Sequence, residues 1–272
     1  MGQTTTRNMA RTTAKEKTML HHSQFLRGDW TPAQLSSLIG WWDASDEGSI
    51  TDSGGDVSQW NDLSGNGFHV TSTATFEPVT GSRTQNSMNV LGFATGDSLY
   101  NSAITLPSSG DASFYQVSTI DGVGGSSFAS LFATDASDND FQFASASTTQ
   151  FNGQVTRTGA NISLTGGPFV GPSIYNVEWD WTGDGTVSAF VDGTDRGSEP
   201  YISTKLQTTQ EWYIFANRAG NAFIDGMVAE TIIIEDCTDH CRQKVEGYLA
   251  HKWGIVSGLP SDHPYKSYSP VN

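Results

Sequence analysis

The sequence predicts an all-β protein of the sandwich or jelly-roll class, and three observations carry that expectation. Short apolar or alternating runs recur along the chain between clusters of Gly, Asn, Asp, Ser and Pro, the pattern of many strands joined by turns. The chain holds 32 Ser, 30 Thr and 29 Gly, with only 16% charged residues, a composition that favours strands and turns over helices. Although hydrophobic residues amount to 36%, 14 Phe, 8 Tyr and 8 Trp supply enough bulk for a core.

The elements follow in order. Thr31-Pro32 reads as an N-cap with proline at the first helical position, opening a short helix through Leu35 and Leu38 that Gly40 ends. Trp41-Trp42-Asp43 then begins a strand. Further strands are expected at Met88–Ala94, Phe114–Ile120, Phe128–Ala133, Phe141–Ala144, Ile174–Trp181, Val187–Val191, Trp212–Ala216 and Met227–Ile234. The clearest alternation places Tyr175, Val177, Trp179 and Trp181 on a buried face and Asn176, Glu178 and Asp180 on a wet one. Thr182-Gly183-Asp184-Gly185 reads as the hairpin turn into Val187, and Asp192-Gly193 begins the next turn. Near the end the period becomes helical. Cys241, Val245, Tyr248, Leu249 and Trp253 form an apolar stripe, Thr238 or Asp239 caps its start, and Gly254 suits its end.

Charge divides the chain into an arm, residues 1–28, and a body, residues 29–272, whose C-terminal helix is expected over 238–253. The arm carries Arg7, Arg11, Lys15, Lys17 and Arg27 against Glu16 alone, a net of +4, which leaves −19 of the total −15 for the body. Rich in Thr and Gln and without a hydrophobic period, the arm is expected to be disordered in isolation and to serve as a docking segment. A body this acidic disfavours nucleic-acid binding. The longest apolar runs are too short to span a bilayer, and the N-terminus lacks the apolar stretch of a signal peptide, so assembly in a cytoplasm is expected. With two cysteines only, Cys237 and Cys241, no disulfide framework is expected.

Two terminal stretches resemble a known family. Leu38-Ile39-Gly40-Trp41-Trp42-Asp43-Ala44-Ser45-Asp46, with Gln59-Trp60-Asn61-Asp62-Leu63-Ser64-Gly65-Asn66-Gly67, resembles the opening of laminin-G-like, concanavalin A-like jelly-roll domains. Ala189–Gly193, Phe223–Ile233 and the tail Arg242–Gly254 with Leu259–Tyr265 are similar to their later strands, C-terminal helix and Pro-rich closure. The resemblance covers residues 30–72 and 186–268. It implies a concanavalin A-like sandwich of the kind found in bacterial surface proteins and phage virion proteins, a fold that hosts lectins, glycosidases and structural modules alike.

Several side chains carry candidate chemistry. Glu178 and Asp180 share a strand face, as a glycosidase pair would. The fold's glucanases alternate a further Glu on that strand, whereas Thr182 stands here, which favours a non-catalytic face. Asn176, Glu178 and Asp180 are therefore candidate sugar-binding residues. Asp43, Asp46, Glu47, Asp52 and Asp56 supply oxygens for a candidate calcium site without EF-hand spacing. Cys237, His240, Cys241 and His251 make half a zinc site at best, and Cys241 is better placed as a small buried hydrophobe.

The resulting expectation is a non-enzymatic bacteriophage virion protein, a capsid decoration or fibre component, requiring no cofactor. It would dock through the arm onto capsid or tail proteins, form a homo-oligomer on the particle and display its sandwich at the virion surface, with surface glycans as candidate ligands and no membrane or nucleic-acid partner. The alternatives are a carbohydrate-binding module of a bacterial surface protein and a glycoside hydrolase.

Overall fold

A computed structural model describes residues 29–72, 75–106, 112–125, 129–135, 141–147, 150–155, 160–164, 171–180, 186–200, 209–216 and 222–271. Residues 1–28, Phe128, Trp181 and the expected turn at 182–185 lie outside these residues. Among the described residues there are seventeen strands. The first half holds β1 (Leu38–Asp43), β2 (Ile50–Ser53), β3 (Asp56–Trp60), β4 (Val70–Thr71), β5 (Val79–Gln85), β6 (Met88–Phe93), β7 (Leu99–Thr105) and β8 (Ala112–Gly125). There follow β9 (Ala129–Asp135), β10 (Phe141–Ser147), β11 (Gln150–Val155), β12 (Ala160–Leu164), β13 (Ser173–Trp179), β14 (Thr186–Val191), β15 (Thr194–Pro200), β16 (Thr209–Ile214) and β17 (Ala222–Glu235). The helix α1 spans Asp239–Trp253.

Antiparallel pairing joins all these strands into one continuous sheet that folds over into two layers. The first layer runs β15-β14-β13-β8-β17, and the far edge of β17 pairs with both β1 and β6. The second runs β4-β7-β16-β9-β10-β11-β12. Strand β3 links them by pairing with both β4 and β5. The main core lies between the layers, where Phe114 of β8 stacks on Trp212 of β16 with ring centroids 5.4 Å apart.

A second apolar cluster lies on the outer face of the first layer, beneath α1. Strand β17 shows why. Ile233 points into the main core while Ile232 and Ile234 point outward against the helix, so the run is apolar on both parities because both faces are covered. Val245 and Leu249 close this cluster from the helix side, each burial contributing about 1.5–3 kcal/mol. Thr238 caps α1 by accepting from the Cys241 amide, and Gly254 ends it in the left-handed region at φ 71°, as the sequence predicts.

The N-terminal helix is shorter than expected. Only Pro32–Gln34 forms a 3-10 turn, and β1 already begins at Leu38, so Gly40 lies inside a strand. Its glycine serves close packing instead, because a Cβ there would come within 2.5 Å of the Trp42 ring.

Candidate functional site

The C-terminal helix and the first sheet layer enclose two charged networks. In the first, Lys252 Nζ donates to Asp43 Oδ2 at 2.5 Å, to Glu230 Oε2 at 2.7 Å and to the Tyr248 hydroxyl at 3.1 Å. Glu230 is fully enclosed, and its carboxylate also accepts from Trp41 Nε1 at 2.7 Å, Trp253 Nε1 at 2.7 Å and the Tyr248 hydroxyl at 3.0 Å. Burial pushes the Glu230 carboxyl above its ordinary range, against the opposing pull of Lys252. Burial would lower the Lys252 ammonium, but the Asp43 and Glu230 carboxylates outweigh it and hold it above its usual value.

The second network contains one of the expected sugar ligands. Arg242, stacked 4.0 Å over the Phe190 ring, pairs with Glu178 at 3.4 Å, Asp239 at 3.3 Å and Glu246 at 3.1 Å. Glu246 in turn meets His263 Nε2 at 3.1 Å. This corrects the expectation of a wet face on β13. Asn176 is 0% exposed and donates to the Phe114 carbonyl at 3.1 Å, Glu178 faces the helix, and half-buried Asp180 donates its backbone N–H to Thr186. A polar parity on this strand marks a face covered by a charged helix, a distinction that alternation alone does not make.

The acidic stretch near β1 and β2 is spent locally. Asp43 accepts from both the Ser45 amide and hydroxyl as well as from Lys252, Asp46 accepts from the Gly48 amide, and Asp52 accepts from the Gly55 amide. Glu47 lies in the 3-10 turn before β2, and exposed Asp56 starts β3. Among the described residues no group of three or more His, Cys, Asp or Glu is placed to hold a metal.

The cysteines are a second correction. Cys237 and Cys241 form a disulfide across the capped start of α1, where their Cα atoms are 5.3 Å apart. Their sulfurs are therefore not available as zinc ligands in this form, and Cys241 is half-buried at the edge of the helix cluster. His251 Nε2 lies 2.9 Å from the Tyr265 carbonyl.

The outer face of the second layer carries a different group of residues. Gln59, Thr71, Tyr100 and Tyr213 are register partners across β3, β4, β7 and β16 and so share one face. Their chain neighbours Trp60, Val70, Leu99, Trp212 and Ile214 point the opposite way, into the main core. The Tyr100 and Tyr213 rings are 4.9 Å apart and tilted by 36°. Glu211, two residues along the same face of β16, accepts from the Tyr100 hydroxyl at 3.2 Å and from the Tyr213 hydroxyl at 3.0 Å. All three side chains are partly exposed. In the sequence Tyr213 falls within the apolar run Trp212–Ala216. The available signal was its parity, a large aromatic on the solvent side of a strand whose Trp212 and Ile214 fill the core.

The root of the arm is fixed on the other side of the molecule. Trp30 packs edge-on against Tyr248 of α1 at 5.8 Å and donates its amide to Pro270, while Asp29 bridges to Val271. The described chain thus begins beside its own C-terminus on the helix-covered side. Arg7, Arg11, Lys15, Lys17 and Arg27 precede it, outside the described residues.

No family model matches the sequence, and no curated protein matches it. Solved structures do match in fold. Domain 4 of AbnA, a GH43 extracellular arabinanase from Geobacillus stearothermophilus, in complex with arabinotriose, is similar over 74% of this chain and 93% of its own, with TM-score 0.55 and 12% identity. The binding domain of botulinum neurotoxin serotype D/C has TM-score 0.55 and 11% identity over 80% of this chain and 53% of its own. Trypanosoma rangeli sialidase has TM-score 0.53 and 11% identity over 81% of this chain, which spans only 36% of that enzyme. At these identities the likeness is one of fold. The chain is an all-β sandwich, jelly-roll-like, with a single C-terminal helix among its described residues.

Proposed function

We propose that the chain is a non-enzymatic structural protein of a bacteriophage virion, a capsid decoration or fibre component. It docks through residues 1–28 and displays a lectin-like sandwich of the concanavalin A or laminin-G kind at the particle surface, assembled in the host cytoplasm. The observation that carries this reading is the placement of Trp30. Trp30 is held against α1, on the side away from the tyrosine row of the second sheet layer, and this reading takes that layer as the displayed face.

Charge supports the same arrangement. The arm brings +4 to a body of −19, and acidic capsid or tail surfaces would attract it. Exposed ion pairs contribute only about 0–1 kcal/mol each, so strand addition to a neighbouring sheet supplies most of the attachment. Glu178, one of the two carboxylates that would serve a glycosidase, instead meets Arg242 beneath the helix, which suits a body that carries out no reaction. Copies on a symmetric particle would form a homo-oligomeric array.

A second reading, a carbohydrate-binding module of a bacterial surface protein, is favoured by the fold neighbours that hold arabinotriose and SialylT. The two share the lectin-like display of the outward face and differ in what carries it.

Replacing Arg7, Arg11, Lys15, Lys17 and Arg27 together by Gln tests the docking role. Attachment to purified particles lacking this chain should weaken, and its sensitivity to NaCl should fall with it. Equal attachment and an unchanged salt response would contradict the proposal.

A further inference from the structure

The outward row on β3, β4, β7 and β16 has a composition suited to one class of ligand. At the strand spacing of about 4.8 Å, the three steps from Gln59 to Tyr213 extend about 14 Å across the sheet, long enough for a few linked sugar rings. Tyr100 and Tyr213 are partly exposed aromatic residues, the type whose rings pack against the C–H faces of sugars, and they carry hydroxyls at their rims. Glu211 holds both hydroxyls, one on each carboxylate oxygen, and each oxygen retains a second acceptor direction for a sugar hydroxyl. Exposed Thr71 and the half-buried Gln59 amide continue the polar strip.

Charge restricts the class further. A carboxylate at the tyrosine end of the row, on a body of net charge −19, repels anionic sugars such as sialic acid and favours uncharged ones. From this geometry we infer that the row Gln59, Thr71, Tyr100 and Tyr213, with Glu211, is a binding site for neutral oligosaccharides. The inference rests on the display reading only in taking this face as outward. It replaces β13 as the place where a glycan would bind.

The test uses the full chain, titrated calorimetrically with arabinotriose and maltotriose as neutral probes and sialyllactose as the anionic one. At least one neutral probe should bind more tightly than sialyllactose. Tyr100→Ala and Tyr213→Ala should each weaken it about tenfold or more, the scale of one lost aromatic contact. Tyr213→Phe should keep most of the stacking, and Glu211→Gln should narrow the gap between neutral and sialylated probes. Unchanged far-ultraviolet circular dichroism and melting temperature would show that these outward substitutions leave the fold intact.

No binding of either neutral probe, equal binding by the tyrosine variants, or preference for sialyllactose would each overturn the inference. Self-association of the wild-type chain that Tyr100→Ala abolishes would also overturn it, by making the row a contact between copies. None of these outcomes bears on particle attachment, which is scored without sugar. Failure here therefore stays separate from failure of the docking role.

Discussion

Lys252 and Asp43 are 209 residues apart in sequence, yet the ammonium of one lies 2.5 Å from the carboxylate of the other, both buried between α1 and the sheet. With Glu230 they form a cluster of two carboxylates and one cation, closed by hydrogen bonds from Trp41, Tyr248 and Trp253. Such a cluster is more informative about what its loss costs than about what it adds, because removing one partner strands a buried charge.

Lys252→Met should destabilise the protein by about 3–5 kcal/mol near neutral pH, measured by denaturant unfolding. The pH response follows from the raised Glu230. A carboxyl whose folded value lies above its unfolded one binds a proton more readily when folded, so its contribution to stability grows as pH falls through the folded value. Without the opposing cation that upward shift increases. The deficit of the variant against wild type should shrink between pH 8 and about pH 5, near the carboxylate range. Lys252 itself is raised, so its stabilisation in the wild type is present below its unfolded value and is lost only at strongly alkaline pH.

Glu178→Gln should lower stability by about 1–3 kcal/mol by leaving the Arg242 guanidinium with one carboxylate fewer. Neither wild type nor variant should release reducing sugar from the oligosaccharides it is given. Hydrolysis by the wild type that this substitution abolished would support a glycosidase and contradict a purely structural role for Glu178.

The Cys237–Cys241 bridge closes a very short loop, for which chain-entropy reasoning gives about 2 kcal/mol. Reduction should lower the unfolding midpoint of the wild type by that scale and leave a Cys237→Ser, Cys241→Ser double variant unaffected. Thiol titration of the unreduced, denatured protein should find no free thiol.

Gly226 of β17 sits where the strand register shifts against β8, and a Cβ there would strike the Thr119 carbonyl. Gly226→Ala should cost about 1–3 kcal/mol, the range for forced overpacking, measured by thermal or denaturant unfolding.

Much of this architecture is legible in the sequence. The helix cap at Thr238, its end at Gly254 and the strands around Met88, Tyr175, Val187 and Met227 lie close to their expected positions, because each has a hydrophobic period or a specific turn residue. Strands β2, β5 and β15 have no such pattern. Ile50-Thr51-Asp52-Ser53 and Thr194–Pro200 are polar edge or linking segments, and pairing with their neighbours makes them strands without an apolar face of their own.

The motifs that suggested a family prove to be packing devices. Asp62 accepts from the amides of Trp41, Ser64 and Phe68, and Asn66 donates to the Leu38 and Ile39 carbonyls, tying the 59–67 segment to β1. Trp41, Asp43, Glu230, Lys252 and Trp253 converge in the buried cluster. Their message is the fold, whereas the tyrosine row that could meet a ligand lies on strands without a recognisable motif. Its members become neighbours only through the register of four strands, which no single segment encodes.

Deletion of residues 1–28, followed by co-sedimentation with otherwise complete particles lacking this chain, tests the central claim most directly. The docking account predicts that the truncated body, still folded by circular dichroism, remains in the supernatant while the full chain sediments at saturating occupancy. Full occupancy by the truncated body would contradict it.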